Sequence, residues 1–82
     1  MKIEIRESAY KDLKHIDKSA ALKLLQDLQK LKGYPSVSNI KKLINHMYSH
    51  RMRLGNYRVL FDITNDTIFI GRILHRKDAY KD

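Results

Sequence analysis

Near residue 41 the hydrophobic period of this chain changes, and little else constrains its fold as strongly. Before that point apolar residues recur three and four apart. Leu22, Leu25, Leu28 and Leu31 are spaced by three, and Leu24 stands four before Leu28. That is the pattern of a helix buried along one side. Beyond residue 41, residues 47–54 alternate, and residues 59–63 and 67–74 are rich in β-branched and aromatic side chains, as half-buried strands are. A chain of 82 residues has room for one domain, expected over residues 1–82, in which a helical half covers a sheet half.

Local signals fill in the order. The N-terminal KIEIR alternates with Ile3 and Ile5 on one side, which predicts a short strand. Ser8 is placed to cap a first helix over residues 9–16, with Ala9, Leu13 and Ile16 on one face. Asp17 is placed to cap a second over residues 18–32, stopped by Gly33 with Pro35 just beyond. Their short junction predicts a helical hairpin. Residues 41–45 read as either a turn or a short strand. Gly55-Asn56 and Asn65-Asp66 are two-residue turn signals, so the runs around them form a three-stranded antiparallel meander. The first strand joins its edge, because a lone strand leaves its backbone groups unsatisfied. The expected fold is α+β, with both helices on one sheet face and the other face free for function.

Charge narrows the partners. Lys and Arg number 17 against 9 Asp and Glu, a net charge of +8, and no acid stands between Asp27 and Asp62. Five of the six arginines fall from Arg51 to Arg76. Such a field draws a polyanion or an acidic protein, or serves as a solvated coat. The absence of cysteine excludes a disulfide scaffold, a thiolate zinc site and a thiol nucleophile, and fits a reducing cytoplasm. With no apolar leader and no long apolar run, neither a signal peptide nor a membrane partner is expected. His46 and His50 lie four apart in a strand-like stretch, a weak basis for zinc. Gly-rich phosphate loops, a nucleophile elbow and paired carboxylates are all absent, so no metal or cofactor is expected.

The arginines acquire meaning from strand pairing. With a two-residue loop at Gly55-Asn56, Leu54 opposes Tyr57, Arg53 opposes Arg58 and Arg51 opposes Leu60. Arg51, Arg53 and Arg58 then share a face, and like charges directly across strands destabilise a sheet. An external anion that matches the guanidinium fork would resolve the repulsion; splaying into water is the alternative. Met52, Leu54, Tyr57, Val59, Phe61 and Ile63 face the helices, completed from the last strand by Phe69 and Ile73 or by Ile68 and Ile70. His75, Arg76, Lys77 and Tyr80 follow the last strand, either as part of a site or as a frayed end.

Three segments carry a resemblance: SAYKDLKHIDK near the N-terminus, HRMRLGNYRVLFDI over residues 50–63, and ILHRKDAY over residues 73–80. Together they resemble the RelE/ParE superfamily of toxin–antitoxin toxins over nearly the whole chain. The resemblance implies a compact toxin with a microbial RNase-like fold. RelE-like members cleave messenger RNA in the ribosomal A site. ParE-like members inhibit DNA gyrase and lack the RNase residues. A cognate antitoxin wraps either kind, and the pair usually represses its own operon by binding operator DNA.

By the same resemblance the catalytic set is Arg51, Arg53, Arg58, Arg76 and Tyr80, with His75 beside them. Lys41, Lys42, His50, Arg72 and Lys77 are the further residues expected to contact RNA. The chain carries Arg where well-known members have Lys on the second of these strands, and Leu74 stands where some place an arginine. The implied reaction is attack of a ribose 2′-hydroxyl on its own 3′-phosphate, with the arginines stabilising the growing negative charge. Arginine is a poor general base, which leaves Tyr80 and His75 as candidates for proton transfer or base stacking.

Overall fold

The computed structural model describes residues 1–79. Its elements are β1 (Lys2–Ile5), α1 (Glu7–Lys14), α2 (Lys18–Leu28) running into a 3-10 segment (Gln29–Gly33), β2 (Ile40–Lys42), β3 (His50–Leu54), β4 (Tyr57–Thr64), β5 (Thr67–His75) and a single turn, α3 (Arg76–Ala79). The strands form one sheet in the order β1-β5-β4-β3-β2. β1 runs parallel to β5, and all other neighbours are antiparallel. The α+β class and the edge position of β1 are as expected. The meander is longer by one strand, because Ile40–Lys42 pairs with β3.

Asp17 caps α2, accepting the Ala20 N–H at 3.4 Å, and Ser19 Oγ donates to the same carboxylate oxygen at 2.6 Å. Those hydrogen bonds hold its carboxyl below the usual range. Ser8 does not cap α1. The helix begins earlier, at Glu7, and Ser8 Oγ instead donates to the Gly71 carbonyl at 2.6 Å. Gly33 is not a left-handed stop either; α2 tightens into the 3-10 segment, and Gly33 is its last residue.

The core lies between the helices and one sheet face. Leu24, Leu28 and Leu31 are buried there with Ala9, Leu13, Met52, Val59, Phe61, Ile68, Ile70 and Ile73. Leu22 is 54% exposed. A spacing of three falls short of the 3.6-residue turn, so a leucine six residues from Leu28 has drifted around the helix.

The last strand realises neither expected core set alone. Leu60 pairs with Arg72 but Phe61 pairs with Ile70, so Gly71 is an extra residue in β5. This β-bulge shifts the phase. Ile68 and Ile70 face the core before it, Ile73 after it, and Phe69 lies on the opposite face beneath the Arg6 guanidinium, 5.1 Å from its ring centroid.

The sheet face away from the helices is only partly open. The strand expected from residue 47 begins only at His50; residues 43–49 form a loop closed by the Leu43 N–H on the Ser49 carbonyl and pinned by the Ser49 N–H on Asp62 Oδ1, both at 2.9 Å. The Tyr48 ring lies against Gly71, where only a missing Cβ leaves it room. Leu60 is 3% exposed on this face, and it lines a depression of about 380 Å³ with Tyr48, Met47 and Arg72.

Candidate functional site

The β3–β4 hairpin turns on Gly55 and Asn56, with Gly55 at φ +57°. A positive φ at the first loop position suits the right-handed twist of the strands and favours glycine. This two-residue turn sets the register: Leu54 pairs with Tyr57, Arg53 with Arg58, and Arg51 with Leu60. β2 extends the rows, pairing Lys41 with Arg51. Partners in an antiparallel ladder share a face, so Lys41, Arg51, Arg53 and Arg58 all lie on the side away from the helices.

Arg58 is the unusual member. It is 3% exposed, the one charged residue buried among those described. Its Nη1 donates to the carbonyls of Gly55 at 2.9 Å and Tyr57 at 3.0 Å. Its Nε is buried and has no hydrogen-bond partner among the described residues. Nor does any described carboxylate pair with Arg58, Arg53 or Arg76. A buried cation without a counter-ion is costly, and this one opens onto a depression of about 410 Å³ lined by Arg53, Arg58, Arg76 and Lys77. Arg76 comes to that depression because its backbone N–H donates to the Asn56 carbonyl at 2.8 Å, docking the start of α3 on the hairpin turn.

Other residues singled out from the sequence lie elsewhere. His75 pairs with Tyr57 and meets its ring edge-on, centroids 5.6 Å apart. That is the helix side of the sheet, in a cleft with Asp12 and His15, so His75 is separated by the sheet from the arginines it neighbours in sequence. The pairing of Lys42 with His50, and of His50 with Phe61, puts these two on the helix side as well. The His50 ring stacks on Phe61 at 5.3 Å, and its Nδ1 and Nε2 meet Ser49 Oγ at 2.8 Å and Tyr34 OH at 3.5 Å. Burial holds its pKa below the ordinary histidine value, helped by the nearby Lys42 charge and opposed by Asp62.

Arg72 is committed to structure. Its Nε and Nη2 donate to Asp12 at 2.8 and 3.1 Å, a two-point ion pair between β5 and α1. Tyr80 lies outside the described residues. Sequence reasoning missed the carbonyls of the Gly55-Asn56 turn and the loop that carries Tyr48. A glycine inside the run TIFIGRILH was a legible sign of a bulge or a close approach.

Comparison with known proteins gives the family. Residues 3–80 match the family model described as the ParE toxin of the type II toxin–antitoxin system, parDE. Toxin RelE3 of Methanocaldococcus jannaschii is 31% identical over 84 residues, covering 98% of this chain and 96% of the relative. The toxin in the RelB–RelE antitoxin–toxin complex from Methanococcus jannaschii superposes with a TM-score of 0.73 at 28% identity, over 94% of each chain. The RelBE2 toxin–antitoxin complex from Mycobacterium tuberculosis shares the fold, with a TM-score of 0.78 at 20% identity over 92% of this chain and 96% of that one. A family match over almost the whole chain, a curated relative aligned over 96% of its own length and one shared fold leave a single assignment: the chain belongs to the RelE/ParE superfamily of type II toxin–antitoxin toxins.

Proposed function

We propose that this toxin is a ribosome-dependent endoribonuclease that cleaves messenger RNA in the A site by 2′-hydroxyl attack on the adjacent phosphate. The observation that carries the reading is Arg58, a buried guanidinium without an acidic partner among the described residues, facing a depression it shares with Arg53, Arg76 and Lys77. Guanidinium groups bind phosphoryl oxygens through two donors, and fixed cations stabilise the charge that grows on those oxygens during attack. Arg53, Arg58 and Arg76 take this role. Arg51, Lys41 and Lys77 bind the flanking backbone.

Proton transfer is supplied differently. An arginine does not serve as base, and His75 lies across the sheet from the arginines. Tyr80 is left on the toxin's side, and positioning by the ribosome supplies much of the rate, since orientation alone is worth about 7–11 kcal/mol in favourable cases. The related structure of an antitoxin–toxin complex supports a cognate antitoxin; the net charge of +8 favours an acidic one that covers this basic face, and the pair represses its operon through operator DNA.

The test is translation in extract, followed by primer extension on the message. Cleavage within codons, lost in Arg58→Ala and Tyr80→Ala, supports the reading. Efficient cleavage of naked RNA by the purified toxin contradicts its ribosome dependence. A second reading rests on the matched family being described by its ParE members: intact message with blocked supercoiling by purified gyrase establishes gyrase inhibition instead.

A further inference from the structure

Three consecutive backbone carbonyls hold both arms of the site. Gly55 O and Tyr57 O accept from Arg58 Nη1 at 2.9 and 3.0 Å, and between them Asn56 O accepts the backbone N–H of Arg76 at 2.8 Å. Arg58 leaves the hairpin on one side of this turn, while Arg76 and Lys77 come from the far end of β5, 18 residues later in sequence for Arg76. The turn is their common anchor. Its direction depends on Gly55, whose φ of +57° is strained for any residue with an ordinary side chain, although a Cβ there meets nothing within 4 Å. Altering Gly55 therefore acts through backbone direction alone, with no clash to confuse the result.

We infer that the Gly55–Asn56–Tyr57 turn is the positioning element of the site: its carbonyls aim the Arg58 guanidinium and dock α3, so that the arginines converge on one phosphate. This rests on the endoribonuclease reading for its consequence in activity, but its geometric part stands alone. An ordinary hairpin needs none of these carbonyls to reach a side chain or a distant segment. Here all three do, and the Arg58 contacts leave its Nε directed to no partner among the described residues. The turn acts through Arg58 and Arg76, and touches no substrate itself.

Gly55→Ala and Gly55→Asn separate positioning from folding. Alanine resists a positive φ, whereas asparagine tolerates it. At a temperature where urea and thermal unfolding show every variant folded, Gly55→Ala is expected to lower the kcat for ribosome-programmed message cleavage at least tenfold. The scale follows from the roughly hundredfold cost of displacing a catalytic group by about 1 Å. Gly55→Asn is expected to restore kcat to within about threefold, and Gly55→Ala combined with Arg58→Ala to lose less than the product of the two single losses. Independent losses that multiply, or a Gly55→Asn no better than Gly55→Ala, overturn the inference.

The second arm does not require activity. In nitrogen-edited NMR of the arginine side chains, the Arg58 guanidinium is expected to give a restrained signal in the wild type and in Gly55→Asn, and to lose that restraint in Gly55→Ala. An Arg58 signal unchanged by Gly55→Ala overturns the inference even in an active toxin. A wild-type toxin that leaves messages intact, but whose Arg58 signal responds as described, overturns the endoribonuclease reading and keeps the carbonyl cradle.

Discussion

Asp12 on α1 accepts from Arg72 at two points and from the backbone N–H of Ile73 at 2.9 Å, so one carboxylate ties a helix to the edge of a strand 60 residues away. The reason lies in the sheet. β1 ends at Ile5, paired with Ile70, and leaves the rest of the β5 edge without a neighbouring strand. Ser8 and Asp12 take over there, one donating to the Gly71 carbonyl and the other accepting from Ile73. Asp12→Ala is expected to cost about 2 kcal/mol in urea unfolding, the usual scale for hydrogen bonds to a charged group. Arg72→Met is expected to cost less than about 1 kcal/mol, because the Arg72 side chain is 42% exposed and such a pair is screened by solvent. Because its charge is already matched, Arg72→Met is also expected to leave message cleavage within about threefold of wild type; a loss like that of Arg58→Ala would return Arg72 to the RNA-binding set.

Arg58 sets function against stability. Replacing it by methionine removes a buried cation whose Nε lacks a partner among the described residues, and also two hydrogen bonds to the turn. Replacing buried charge by apolar bulk is often neutral or stabilising. Arg58→Met is therefore expected to unfold in urea within about 1 kcal/mol of wild type, or above it, while cleavage falls by about a hundredfold, the scale of one lost donor to a transition state. A destabilisation beyond about 2 kcal/mol with activity retained would make Arg58 a structural residue.

What could be read from the sequence depended on how local each signal was. The Arg53–Arg58 pairing follows from two turn residues next to the strands they join, and the Asp17 cap from three neighbouring positions. The core face of β3 and β4 follows from simple alternation. β2 has only three residues, too few for a period to show. Residues 47–49 alternate like the start of a strand, yet Ser49 closes a loop on Leu43 and is held by Asp62. The bulge at Gly71 reverses the facing of every later residue in β5, so adjacency in sequence could not tell which side His75 takes. Arg72 looked free for RNA because its partner lies 60 residues away.

His50 makes stability depend on pH. Its folded pKa is held down by burial first and the Lys42 charge second, while the unfolded chain keeps the ordinary value near 6.5. The unfolded state thus binds the proton more readily, and stability rises with pH through this window. Sign for sign, stability is full above about 6.5, falls as pH drops below it, and levels off once the folded protein is protonated too. Unfolding in urea from pH 5 to 8 is expected to show this slope, and His50→Gln to flatten it. A wild type and a His50→Gln variant with parallel pH profiles would assign the slope to other groups.

Gly71 couples the bulge to the loop over the open face. A Cβ at this position would overlap the Tyr48 ring, and the ring is part of a loop fixed by Ser49 on Asp62. Gly71→Ala must displace either Tyr48 or β5, and overpacking of this kind typically costs about 1–3 kcal/mol. If the clash is the cause, removing the ring should relieve it. Tyr48→Ala alone is expected to destabilise by exposing Leu60, which is 3% exposed beside that ring. In the double variant Gly71→Ala with Tyr48→Ala, the cost is expected to be at least about 1 kcal/mol less than the sum of the single costs, a coupling of the size seen for residues in direct contact. Additive costs would place the requirement for glycine in the backbone of the bulge instead, where Tyr48 plays no part.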